Sequence, residues 1–261
     1  MQKKLNSKLD ALRWDKVAPD YIRSIKREKS SYLKYLIYES LFYNIFDLVG
    51  DVKNKVILDA GCGEGRLSRL LAEQGGEVDA CDVSATMIKE ANFTESSQPH
   101  GIKYFTHDLT DALSGNRMYD IVVANLVLFN IHDLDAVVSN ISRVLRPNGK
   151  FIFSLLHPCF NMTKGQWYNL RYIGRKGGKI VFDIKKSYKD NSSYKKEFLF
   201  LPGEVNFYHR PIETYFKTLS SNNLLVSDLL EPVLKINQVY DEKTYHHHFL
   251  PRFMIIRSAK S

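Results

Sequence analysis

From residue 56 onward the chain alternates between short apolar runs and amphipathic stretches. The runs at 56–59, 78–81, 103–106, 121–124 and 150–155 have the length and continuity of strands buried on both faces. Helical stretches lie between them at 66–73, where Leu67, Leu70 and Leu71 recur at helical spacing, at 85–91 and at 133–145. Pro147, Asn148 and Gly149 close the last of these, giving a helix stop and a turn. Strands separated by helices predict an α/β fold with a doubly wound, mostly parallel sheet. Right-handed crossovers then put the strand-to-helix loops along one edge, where such sheets bind ligands.

The flanks read differently. Residues 5–49 are rich in Leu, Tyr, Ile and Lys, with Pro19 the one helix breaker, which predicts two or three helices ahead of the first strand. After His157 the pattern turns basic, aromatic and turn-rich, with Gly174, Gly177 and Gly178, as an inserted lid or short antiparallel hairpins would. A helix at 211–221 and strands at 224–229 and 249–257 follow, and two late strands with a short connection suit an antiparallel edge. The expected organisation is a helical cap at 1–50, a core at 51–157, an inserted substrate-binding lid at 158–204 and completion of the core at 205–261.

Composition narrows the class. A chain of 261 residues, 44% hydrophobic and 12% aromatic, buries a full core, as one domain with insertions. MQKKLNSKLDALRWDK is too charged for a secretory signal, and no run approaches the roughly 20 apolar residues of a membrane span, so a cytoplasmic protein is expected. Cys62, Cys81 and Cys159 are odd in number and sit in or beside predicted core elements, which reads as reduced structural thiols and neither a disulfide framework nor a zinc site. The net charge of +8 is unevenly spread, with Arg171, Arg175, Lys176, Lys179, Lys185, Lys186, Lys189, Lys195 and Lys196 in one stretch. A nucleic-acid surface is one reading of that stretch; solvated lysines on a peripheral segment is the preferred one, because no RNA or DNA motif accompanies them.

The candidate chemistry centres on VILDAGCGEGRLSRLLAE, beginning at Val56. A strand ending in Asp59, then Gly61, Gly63 and Gly65, then a helix brings bare backbone and a positive helix end against a ligand. The spacing is not the G-x-G-x-x-G of dinucleotide sites. With an acid two residues ahead of the first glycine, it resembles motif I of the class I S-adenosylmethionine-dependent methyltransferases. VDACDVSATMI resembles the family's second strand, which ends in an acid, here Asp82, for the ribose hydroxyls. IKYFTHDLTD resembles its adenine loop, with Asp108 for the amino group and the Leu109 amide for a ring nitrogen. YDIVVANLVLFNIHDLD and RVLRPNGKFIFSLLHPCF resemble the fourth strand with its loop and the helix, turn and fifth strand; RWDKVAPDY resembles a segment whose tyrosine, here Tyr21, closes over the cofactor.

The resemblance covers residues 14–160 and implies a Rossmann-like methyltransferase fold with a seven-stranded sheet, S-adenosyl-L-methionine as cofactor, and a small-molecule or short-peptide methyl acceptor. It also implies that Asp59, Cys62, Val83, Met87 and Asn125 line the cofactor site beside the glycines. Several assignments have rivals. Asp82 can be read as an N-cap, a role open to Ser84; His107 or Thr110 can replace Asp108; Tyr21 can simply pack. His157, following the fifth strand, is the candidate general base, or else orients the loop before Pro158. Trp167, Tyr168, Tyr208, His209 and Arg210 are the expected acceptor residues, Arg210 pairing with a substrate anion or with Glu213 or Glu231. His246, His247 and His248 point to alternating faces of an extended segment, so no metal site is expected. A nucleic-acid methyltransferase is the runner-up, but Asn125-Leu126-Val127-Leu128 lacks the N-P-P-aromatic loop that holds a flipped base.

Overall fold

Strand alternation decides which side chains reach which layer. In β1 (Val56–Ala60) and β4 (Tyr119–Asn125), Ile57, Ile121 and Val123 face one side of the sheet and Leu58, Ala60, Val122 and Ala124 the other. The first side is covered by α2 (Tyr43–Val49), α3 (Arg66–Glu73) and α4 (Ala85–Ser97), through Ile45, Leu67, Leu71 and Ile88. The second is covered by α5 (Leu134–Val144) and α6 (Ile212–Ser221), through Val137, Val138, Ile141, Tyr215 and Leu219. Helices on both faces explain why these strands are apolar throughout instead of alternating. α1 (Gln2–Lys26) lies across α4, with Ala18 and Ile22 against Met87. The structure, a computed structural model, describes residues 2–26, 41–160, 168–173, 179–184, 188–189, 192–197, 203–233 and 250–261.

The sheet has seven strands in the order β10-β11-β5-β4-β1-β2-β3, with β2 (Glu77–Asp82), β3 (Lys103–Thr106), β5 (Leu145–Leu156), β10 (Leu224–Leu230) and β11 (Phe253–Lys260). The pairs within β3-β2-β1-β4-β5 are parallel and β11 is antiparallel to both neighbours. The mostly parallel, doubly wound sheet is therefore as expected, and so is an antiparallel pair at its end. Its connection is not short: residues 231–252 separate the two strands, and β11 lies between β5 and β10. The turn at Pro147-Asn148-Gly149 falls inside β5, as an excursion that sets Ile121 opposite Lys150 after Tyr119 opposite Leu145; Asn148 takes a left-handed φ of 61° there.

The segment 158–204 contains β6 (Tyr168–Ile173), β7 (Lys179–Ile184) and β8 (Ser192–Glu197), and leads into β9 (Glu204–His209). These strands form two antiparallel pairs, β6 with β7 and β8 with β9. Along β9 the pleat buries Val205 and Phe207 in the core and turns Asn206 and Tyr208 toward α1.

Candidate functional site

A cleft opens at the carboxyl ends of β1, β2, β3 and β4, with α1 across it, and encloses about 1340 Å³ of empty space, part of it open to solvent. Its wall on one side is the glycine loop. Gly61, with φ +83°, sits so close to the next loop that a Cβ there would run into the Val127 side chain. Its N–H and that of Cys62 donate to the Cys81 carbonyl at 2.7 and 2.9 Å, which ties the β1 loop to β2. Gly63 presents its N–H to Asp82 Oδ2 at 2.9 Å. Gly65 does not line the cleft: it starts α3 at φ +85°, and the Tyr104 ring occupies the space a side chain would take. Its glycine is required by packing, which corrects its expected place in the cofactor wall.

The acids are held by the backbone around them. Asp59 is 1% exposed and accepts a 2.6 Å bond from Ser68 Oγ, which pins β1 to α3. Burial pushes its carboxyl up to about 7, and the nearby Asp82 adds to the effect. Asp82 accepts from Gly63 N–H and from Ser84 N–H, both at 2.9 Å, and burial raises it too. Ser84 is the N-cap of α4, accepting from Met87 N–H at 3.2 Å and donating to Asp15 at 2.6 Å. The capping role is therefore filled, and Asp82 faces the cleft. Asp108 accepts from the Thr110 N–H and hydroxyl at 2.9 and 2.8 Å and from Ser7 of α1; His107, Asp108 and Thr110 all line the cleft.

Asn125 ends β4 and accepts 2.6 Å from Ser154 Oγ. The next residue, Leu126, takes a left-handed φ of 57° and donates its N–H to Ser154 Oγ at 2.9 Å. A left-handed leucine costs roughly 1–2 kcal/mol and marks a loop whose path is fixed by its neighbours. Tyr21, Cys62, Val83, Met87 and Leu109 also line the cleft, so every expected cofactor residue except Gly65 converges there.

The sequence reading did not single out Ser7, Asp10, Trp14, Phe42, Asn130, His132 or Asp133, which share this lining. Carboxylates outnumber cations: Asp10, Asp59, Glu64, Asp82, Asp108 and Asp133 stand against Arg66, with the imidazoles of His107 and His132. On a chain of net charge +8 this cleft is acidic, which complements a ligand carrying positive charge. The donor set therefore fits S-adenosylmethionine: carboxylates for an ammonium, a sulfonium and ribose hydroxyls, and bare glycine backbone for close approach.

The residues expected to act on the acceptor are mostly elsewhere. His157 is 1% exposed and does not line the cleft; its Nδ1 accepts from Cys159 N–H at 3.1 Å, its Nε2 bonds Glu231 at 2.6 Å, and its ring packs tilted against Phe160. Burial lowers its pKa, partly offset by Glu231. With both ring nitrogens engaged, this geometry fits the loop-orienting alternative and not the general base.

Arg210 is 8% exposed and donates to the carbonyls of Leu128 (3.2 Å), Ile131 (2.5 Å) and His132 (2.8 Å). Among the described residues it meets no carboxylate: Glu213 pairs with Lys217 and Glu231 with His157. Its charge is spent on the loop after β4, in place of the substrate anion expected. His209 bonds the Tyr188 carbonyl at 2.9 Å, away from the cleft, because it shares the face of Val205 and Phe207. Tyr208 supports the cleft from behind through a 3.1 Å bond to Asp10. Tyr168 is described only as backbone of β6; Trp167 and His246, His247 and His248 lie outside the described residues. Among the described residues no group of His, Cys, Asp and Glu could hold a metal, no disulfide joins Cys62, Cys81 and Cys159, and no helix is long and apolar enough to cross a membrane.

The seven-stranded sheet and the glycine-loop cleft at its carboxyl edge define a Rossmann-like methyltransferase fold. Residues 58–153 match the family described as a methyltransferase domain. The chain is 30% identical over 109 residues to a ubiquinone biosynthesis O-methyltransferase of Coxiella burnetii, a stretch spanning 42% of this chain and 47% of that enzyme, so about half the relative's length is matched. Solved structures agree in fold. A candidate S-adenosylmethionine-dependent methyltransferase from Listeria monocytogenes superposes with a TM-score of 0.71 at 25% identity, over 87% of this chain and 99% of that one. One from Mesorhizobium loti does so with 0.72 at 22%, over 86% and 100%. Residues 58–153 are thus a class I S-adenosylmethionine-dependent methyltransferase domain, an enzyme domain whose cofactor is S-adenosylmethionine.

Proposed function

We propose that this protein transfers a methyl group from S-adenosylmethionine to an O, N or C nucleophile of a small molecule or short peptide in the cytoplasm. The observation that carries this reading is the acidic cleft beneath the glycine loop, with Asp82 fixed by two backbone N–H groups and free of the α4 cap. When bound, the cofactor supplies a methyl that is already electrophilic. The protein's task is then to align a nucleophile, exclude water and lead a proton away. Asp82 takes the ribose end, Asp108 with Thr110 and the Leu109 backbone the adenine end, and Asp59, Gly61 and Asn125 the methionine end. Tyr21 and Trp14, on α1, roof the cleft.

Acidic lining supports a small acceptor over a nucleic acid, since a polyphosphate entering such a cleft meets like charge. The 158–204 insert is read as bordering the acceptor end, because it leads into β9, whose Asn206 and Tyr208 brace Asp10. The test is incorporation of labelled methyl from S-adenosylmethionine into a small-molecule extract compared with total tRNA. Label in organic-soluble or peptide fractions and none in tRNA supports the reading; label confined to RNA overturns the acceptor class.

A further inference from the structure

One end of the cleft holds a polar constellation that the cofactor roles above leave unused. Asp10 of α1 is 8% exposed, yet lines the cleft. Asn206 Nδ2 donates to one of its oxygens at 2.5 Å, and the Tyr208 hydroxyl to the other at 3.1 Å. Arg13 Nη1 donates to the same oxygen as Asn206, at 3.5 Å, and forms an ion pair with Asp10. Asn206 also accepts, through its carbonyl, a 2.7 Å bond from Asn130 Nδ2, so one residue bridges Asp10 and Asn130. Asn130 is 5% exposed and its Oδ1 is buried with no hydrogen-bond partner. A buried acceptor without a donor is uncommon and destabilising unless a ligand supplies the donor. Trp14 lines the cleft four residues after Asp10, on the same helical face. The guanidinium groups behind this end are both committed, Arg13 to Asp10 and Arg210 to the carbonyls of Leu128, Ile131 and His132.

We propose that this end of the cleft is the acceptor subsite and that it takes an amine, entering as an ammonium. Resting on the methyltransferase reading, the assignment narrows the acceptor from O, N or C to N. A carboxylate held in place by Asn206, Tyr208 and Arg13, a carbonyl oxygen lacking a donor and an indole face together match the needs of a small N–H-rich cation. They offer nothing to a carboxylate or phosphate. Burial raises the Asp10 pKa above the ordinary carboxylate value, which suits it to accept a proton. In the reaction an N–H bond of the ammonium breaks and the proton passes to Asp10. The freed nitrogen lone pair then forms the N–C bond to the methyl, and the C–S pair returns to sulfur, leaving a neutral thioether and a methylated ammonium. His132, exposed and edge-on to Tyr208 at 5.3 Å, offers the proton a way to solvent.

The experiment uses the full chain saturated with S-adenosylhomocysteine, so that no turnover occurs, and three matched probes: 2-phenylethylamine, 2-phenylethanol and phenylacetate. Calorimetry should give the amine the tightest binding, weakened about tenfold or more by Asp10→Asn. Tyr208→Phe, which keeps the ring and removes one donor to Asp10, should weaken it less. The affinity of S-adenosylmethionine itself should change by less than about threefold in both variants. Equal or tighter binding of the alcohol or the carboxylate, no binding of the amine, or unchanged amine affinity in Asp10→Asn each overturns the assignment. A tenfold loss of S-adenosylmethionine affinity in Asp10→Asn also overturns it, by moving Asp10 to the donor half. Failure of the wild-type chain to bind S-adenosylmethionine at all is a separate result, and it strikes the methyltransferase reading instead.

Discussion

Two residues show how local chemistry sets the wall of the cleft. At Gly61 the backbone turns with positive φ directly beneath Val127, so Gly61→Ala adds both a strained dihedral and a collision. Thermal denaturation should register a loss of about 1–3 kcal/mol, with cofactor affinity falling alongside. Asp59 acts through its protonation state. Its carboxyl is raised from the ordinary 3.8 to about 7 in the folded chain, so the fold binds an extra proton between those values. The resulting stability is complete below the ordinary carboxylate range and is lost as pH rises through about 7. Denaturant midpoints of the ligand-free protein should therefore fall from about pH 4 to about pH 7 and level off above that, with a ceiling on the order of 4 kcal/mol. Asp59→Asn, which keeps a group able to accept from Ser68, should flatten that slope; an unchanged slope would mean another group carries it. That the glycine-loop residues gather at one cleft was legible because they lie within one strand-turn-helix unit. Gly65 was misread for the same reason: spacing alone cannot tell a glycine needed by a ligand from one needed by Tyr104.

Elements carry what single residues do not. The loop after β4 is held from outside by Arg210, at the end of the β8–β9 pair, and that loop presents Asn130 and His132 to the cleft. Removing the guanidinium by Arg210→Ala should destabilise the protein by about 3 kcal/mol, since several buried carbonyls lose a charged donor. Arg210→Lys, unable to fork across three carbonyls, should recover only part of this in the same denaturant titration. Wild-type stability in Arg210→Ala would show that the loop holds itself. From sequence, Arg210 next to a proline read as a substrate anchor, because the carbonyls that consume it come from residues about eighty positions away. His157 was open to two readings for a similar reason: it follows β5 as expected, but Glu231, far along the chain, bonds its ring.

For the molecule as a whole, the layered sheet was readable from periodicity, because strands buried on both faces and helices buried on one leave different patterns. What escaped was the path of α1. Ser7, Asp10 and Trp14 enter the cleft only because the helix crosses it, anchored by Ser7 to Asp108 and by Asp15 to Ser84 and Thr86. No local pattern announces such a crossing. Charge behaves likewise: a basic chain hides an acidic cleft, since the sum over the sequence does not record which side chains share a cavity. That contrast gives the account its central claim, a cofactor site for a cationic nucleoside built on Asp82 and the glycine loop. Its most direct test is calorimetric titration of the full chain with S-adenosylmethionine. The account predicts micromolar or tighter binding to the wild type, weakened at least tenfold, about 1.4 kcal/mol, by Asp82→Ala. Absence of binding to properly folded wild-type protein, or equal affinity in Asp82→Ala, would contradict it.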